Sequence, residues 1–103
     1  NIIHAYYKFY CYVKLEMLSI DWNRDKIIKK INEEGYPAFH GGCSEIYLEK
    51  CFTKQNINSF KRLKNAKQLG ETSLMFLVHP TINKNEIFEY AMVIKNILKK
   101  ASK

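Results

Sequence analysis

Residues 35–52, GYPAFHGGCSEIYLEKCF, gather His40, Cys43, Ser44, Glu45, Tyr47, Glu49 and Cys51 around a Gly41-Gly42 pair. His40-x-x-Cys43 with Cys51 offers three metal ligands, but a structural zinc site takes four, commonly as two close pairs. Only one close pair is present, so metal binding is a weak reading. A cysteine nucleophile is the second reading. Cys43 lies where a helix amino terminus would lower its pKa, with His40 as a nearby base. No orienting third group or oxyanion donor can be assigned, and a small buried thiol is the commoner role. Glu45 and Glu49, one turn apart on a helix, can do acid/base work or simply form a solvated face. His79 precedes Pro80 at a strand end, where histidine is usually structural. There is no glycine-rich phosphate loop of standard spacing. None of these signals names a reaction.

The elements that position this stretch are legible. Over residues 4–15, Ala5, Tyr7, Phe9, Cys11, Val13 and Leu15 alternate with His4, Tyr6, Lys8, Tyr10, Tyr12 and Lys14. Period two with aromatic and β-branched residues predicts a strand with the first set toward the core. Asn23 is placed to cap a helix over 24–34, with Asp25 in its first turn and Ile27, Ile28 and Ile31 as its apolar stripe. Gly35 supplies a left-handed cap and Pro37 prevents resumption. Residues 36–40 then read as a short edge strand, since proline is confined to edges or strand starts.

Gly41 and Gly42 permit a sharp turn or a close approach to a ligand. Ser44 is expected to cap a second helix ending near Phe52. Residues 53–65 read as a long loop, with Asn65 capping a short helix over 66–71. The apolar run 73–78 predicts a central strand covered on both faces. Asn83 and Glu86 make a box-like start to a final helix over 81–100, and Ile87, Tyr90, Ala91, Ile94, Ile97 and Leu98 keep the 3.6 period. The predicted fold is α+β: a small, mostly antiparallel three-stranded sheet with helices packed on one face.

At 103 residues, 47% hydrophobic and 26% charged, the chain is expected to form a single domain with one core. No apolar run reaches the roughly 18 residues needed to span a bilayer. The amino terminus lacks a basic region followed by an apolar one, so no secretory leader is expected. The chain opens on Asn1 and runs directly into strand-like sequence, as a piece of a longer protein would. Three cysteines without C-x-x-C spacing indicate reduced thiols and a cytoplasmic location. The net charge of +7, with four tyrosines among residues 6–12, raises the alternative of a basic α+β nucleic-acid-binding module. Against it, the bases are dispersed and only two of the seventeen are arginine, so a solvated surface is the simpler reading.

The motifs taken together resemble a known family. His4-Ala5-Tyr6-Tyr7 opens the first strand, and Arg24-Asp25-Lys26-Ile27-Ile28 leads a helix that ends at Glu33-Glu34-Gly35. Gly41-Gly42-Cys43-Ser44-Glu45-Ile46-Tyr47-Leu48-Glu49-Lys50 follows, then Asn65-Ala66-Lys67-Gln68-Leu69-Gly70-Glu71-Thr72 and Leu74-Met75-Phe76-Leu77-Val78-His79-Pro80-Thr81. The order and content resemble the carboxy-terminal small domain of the DegT/DnrJ/EryC1/StrS sugar aminotransferases, over essentially the whole chain. Where many members carry Tyr-x-x-Pro-x-His after the first helix, this chain has Tyr36-Pro37-Ala38-Phe39-His40. The resemblance implies the small domain of a fold-type I enzyme that uses pyridoxal phosphate to transfer an amino group from glutamate to a nucleotide-linked keto sugar in glycan biosynthesis. It implies that the Schiff-base lysine and cofactor-phosphate residues belong to a large domain of the same chain, that the parent is a homodimer, and that residues 1–103 alone are inactive. It also implies that His40, Gly41, Gly42, Cys43, Ser44 and Tyr47 face the nucleotide-sugar substrate, with no catalytic or metal-binding residue in this chain.

Overall fold

The structure, a computed structural model, describes residues 1–3, 6–53 and 61–103. In chain order these form strand β1 (Lys8–Tyr12), helix α1 (Arg24–Glu33), strand β2 (Ala38–His40), the short helix α2 (Lys50–Thr53), helix α3 (Lys64–Thr72), strand β3 (Ser73–Leu77) and helix α4 (Lys84–Ala101). Single 3-10 turns occupy Leu15–Met17 and Ile46–Leu48. The strands make one antiparallel sheet in the order β1-β3-β2, so the apolar run sits at its centre and the Pro37 strand at its edge. The α+β architecture with an antiparallel three-stranded sheet is the one expected.

α1 forms where its caps and stripe place it. The Asn23 side chain accepts from the Lys26 N–H at 2.8 Å, satisfying one of the amides a helix start leaves unpaired. Gly35, at φ +86°, supplies the left-handed residue just past the end. The helix buries Ile27, Ile28 and Ile31 against Leu74 and Phe76 of β3, Ala38 of β2 and Ile97 and Ala101 of α4. Ile27 and Ile31 are fully buried. Arg24 is buried with them, and a buried cation must be paired. Its Nε lies 2.5 Å from Asp25 Oδ1, and its Nη1 donates to the Ser73 carbonyl.

The edge strand is fastened by Asn32, whose amide donates to the Ala38 carbonyl at 2.8 Å and accepts from the Ala38 N–H at 3.1 Å. α4 begins with a reciprocal cap: Asn83 Oδ1 accepts from the Glu86 N–H, and the Glu86 carboxylate accepts from the Asn83 N–H. Its far end is tied to the segment after β1, where the Ser19 N–H donates to the Ala101 carbonyl at 2.8 Å and the Lys103 N–H to the Met17 carbonyl at 3.0 Å.

Several expectations are corrected. Of the strand expected over residues 4–15, His4 and Ala5 lie outside the described residues, and β1 runs only over Lys8–Tyr12. Tyr6 takes φ +44°, which breaks the extended run before Lys8, and the 3-10 turn from Leu15 stops it at the other end. Cys11 and Val13 pack against the core as expected, whereas Tyr7, Phe9 and Leu15 are exposed. Among the described residues β3 is covered on one face only. Leu74 and Phe76 point into the helix layer, but Met75 stands in register with Tyr10 and Phe39 on the opposite face, and both of those rings are exposed. No helix is long and apolar enough to cross a membrane among the described residues.

The apolar stripe of α4 is likewise covered only in part: Tyr90, Val93, Ile94 and Ile97 pack on the core, while Ile87 and Leu98 stay exposed. Ile87 is 54% exposed and Ile97 6%. Between α4 and β1–β3 runs an apolar groove of about 560 Å³, flanked by Phe9, Phe76, Ile82, Ile87, Ala91 and Leu98. Residues 54–60 of the expected loop lie outside the described residues. Asn65 is not a cap, because α3 already starts at Lys64 behind Leu63, which makes no side-chain cap bond.

Candidate functional site

The single helix expected from Ser44 to Phe52 is replaced by the 3-10 turn Ile46–Leu48, an extended Glu49 (φ −64°, ψ 146°) and the four-residue α2. Glu45, not Ser44, precedes the turn, and it makes no side-chain cap bond. The physical reason is visible in the side chains. Tyr47 Oη donates to Glu45 Oε1 at 2.7 Å, a bond between residues two apart, which an α-helix would turn to different faces.

Arg62 completes the arrangement. Its Nε and Nη2 donate to the two oxygens of Glu45, each at 2.8 Å, in the parallel fork that matches guanidinium to carboxylate. Tyr47 Oη also accepts from the Leu63 N–H at 3.0 Å. With both oxygens occupied, Glu45 titrates far below the usual carboxylate range, at about 2, chiefly through the Arg62 bonds and then the Tyr47 bond. Glu45 is therefore a fixed anion and not a proton donor near neutrality. Burial and then the Glu45 bond push the Tyr47 phenol up.

Cys43 has the opposite environment to an activated nucleophile. Its Sγ donates to Glu49 Oε1 at 3.3 Å, and this bond to a carboxylate, followed by burial, raises the thiol's pKa above its ordinary value. The lowered pKa expected from a helix amino terminus is not found, because no helix begins at Ser44. His40 projects from the end of β2 with Nε2 3.6 Å from Asp25 Oδ1, in a different cluster from Cys43. Among the described residues no group of three or more His, Cys, Asp or Glu side chains stands where it could hold a metal ion.

The two glycines of the turn serve different needs. A Cβ on Gly41 would meet Ser73 Cβ and Oγ at 2.5 Å, so only a bare backbone can pass the central strand there. Gly42 has open space around its Cβ direction but takes φ +139°, which side-chain-bearing residues rarely adopt. Ser44 is seated against Gly70 of α3, where a built Cβ would collide with the serine Cβ and Oγ. The structure thus brings Gly41, Gly42, Cys43, Ser44 and Tyr47 into one turn laid along β3 and α3, with His40 at its entry.

Arg62 and Gly70 were not among the residues the sequence singled out. Each acts on the turn from well over a dozen positions away. The turn contains no lysine, and Glu45 is already bound to Arg62 and Tyr47. The described residues here do not fit pyridoxal phosphate, which needs a Schiff-base lysine and a free carboxylate partner for its ring nitrogen.

No protein-family model matches the chain, and no curated protein matches it significantly. Among solved structures, an aminotransferase from Psychrobacter cryohalolentis, determined by X-ray methods, shares 48% sequence identity with it over 96% of this chain, at a TM-score of 0.87. The chain spans 25% of the length of that aminotransferase.

Proposed function

We propose that this chain is the carboxy-terminal small domain of a pyridoxal-phosphate-dependent aminotransferase of the DegT/DnrJ/EryC1/StrS group, one that transfers an amino group from glutamate to a nucleotide-linked keto sugar. The observation that carries the reading is the 48% identity, over nearly the whole chain, to a quarter of a known aminotransferase. The ordered motif set, from Arg24-Asp25 through Gly41-Gly42-Cys43-Ser44-Glu45 to Leu77-Val78-His79-Pro80, supports the narrower family and its sugar substrate.

On this reading the cofactor, its lysine and its phosphate contacts lie in a large domain outside residues 1–103, and the parent works as a homodimer. The chain's own part is recognition. The turn over 41–47 presents a thiol, a serine hydroxyl and two glycine amides at the end of the sheet, and His40 leads into it with its imidazole turned to Asp25. Such groups orient a hydroxylated sugar by hydrogen bonds, while Gly41 and Gly42 let the sugar approach the backbone closely. Cys43, with its raised pKa, serves there as a neutral thiol.

The test uses the full-length protein. Incubation with glutamate and a nucleotide-linked keto sugar is expected to yield the amino sugar, detected by mass. Cys43→Ala, at an exposed thiol, is expected to raise KM for the sugar nucleotide with little change in folding. A native protein of only this length, or no amino transfer to any nucleotide-linked keto sugar, would refute the reading.

A further inference from the structure

We propose that Glu45, Arg62 and Tyr47 form a positioning clasp that holds the 41–47 turn against the lead into α3. Four bonds make up the group: Arg62 makes two to Glu45, Tyr47 makes one to Glu45, and the Leu63 amide makes one to Tyr47. Every bond but the Tyr47–Glu45 one crosses from the turn to the lead. Besides them, among the described residues, the turn is held where His40 pairs with Leu74, where Gly41 passes Ser73 and where Ser44 sits on Gly70. Gly42 lies between those anchors at a φ open almost only to glycine, so the intervening backbone has little stiffness of its own.

Arginine suits this task better than lysine. A planar fork fixes both the distance and the orientation of the carboxylate, where an ammonium would fix only the distance. The Arg62 side chain is 56% exposed and that of Glu45 14%, and an ion pair open to water on the arginine side contributes modestly to global stability. The clasp therefore acts locally, and its signature is the protection of the turn rather than the melting of the domain.

The clasp rests on the bonds themselves, while its consequence for a sugar nucleotide rests on the functional reading above. The experiment is hydrogen exchange by mass spectrometry on the full-length protein and its Arg62→Lys, Arg62→Ala and Glu45→Gln variants, read over residues 41–48 and, as a control, over 24–33. Both Arg62 variants are expected to raise exchange in 41–48 by about tenfold or more and leave 24–33 unchanged, with Glu45→Gln intermediate. Unchanged exchange in 41–48 for Arg62→Ala overturns the clasp, whatever the kinetics. A rise in both regions together also overturns it, since it would report general loosening.

On the same variants, a raised KM for the sugar nucleotide with an unaltered half-reaction with glutamate joins the clasp to sugar recognition. Raised exchange with unaltered KM upholds the clasp and counts against the turn as the sugar-facing wall.

Discussion

Replacing Gly41 by alanine is the sharpest test of how the turn is seated. The added Cβ would lie 2.5 Å from Ser73 Cβ and Oγ and 3.4 Å from the Ser73 carbonyl carbon. The hydroxyl can rotate away, but Ser73 Cβ is fixed by the backbone, which β1 holds through Tyr12 and Arg24 holds through the carbonyl. Ordinary carbon contacts need about 3.5 Å or more, so the turn must lift by roughly 1 Å. Overpacking of this kind costs about 1–3 kcal/mol.

The contact can be removed from the other side. Ser73→Gly deletes both atoms that meet the new methyl, leaving only the ordinary contact with the carbonyl carbon. Gly41→Ala with Ser73→Gly is therefore expected to be more stable than the sum of the single changes implies, by about 1 kcal/mol or more. Urea unfolding followed by the fluorescence of Trp22, the chain's one tryptophan and partly packed on the core, reads all four proteins. The single Gly41→Ala change is expected to lower the midpoint by roughly 1–2 M. Additivity within about 0.5 kcal/mol would refute the close approach.

Two further outcomes follow from the core and from one buried phenol. Ile31→Ala removes a fully buried side chain shared by α1, the sheet and α4, and is expected to cost about 2–5 kcal/mol in the same urea assay. Burial raises the pKa of Tyr90 to about 12, and its hydroxyl donates to the Pro37 carbonyl. The folded state thus favours the protonated phenol: stability is unaffected below about pH 10, the unfolded value, and falls as pH rises toward 12. Absorbance titration should show Tyr90 among the late-ionising tyrosines, with Tyr47, and Tyr90→Phe should diminish that late step.

The fold was readable wherever a local rule acted alone. Asn23 and Gly35 bounded α1, Asn83 and Glu86 opened α4, and Pro37 marked the edge strand, because each works through bonds or dihedrals within a few residues. The sequence misled where periodicity had to stand in for packing. Alternation over 4–15 separates Tyr10 from Cys11, but it does not tell that β3 would pair Met75 with Tyr10 on a face left uncovered. The apolar run 73–78 reads the same whether a strand is enclosed on both sides or one, and Ile87 keeps the stripe of α4 without a neighbour to bury it.

The second helix failed for a different reason, and the residue responsible had left a trace. Glu45, Tyr47 and Glu49 at those spacings are good helix sequence, yet two of the three side chains bind each other across a tighter turn, under the pull of an arginine 17 positions along. No local pattern encodes a bond of that span. What the composition did offer is the rarity of the residue: only Arg24 and Arg62 stand among seventeen bases that are otherwise lysine. Both make forked or buried bonds, one to Asp25 and the Ser73 carbonyl and the other to Glu45. An ammonium can replace an arginine where only charge matters, and a guanidinium is required where two directed bonds must be held at once. In a lysine-rich chain the two arginines are thus the residues to question first, and both lie against the segment that carries Gly41 to Tyr47: Arg24 through Ser73, beside Gly41, and Arg62 through Glu45.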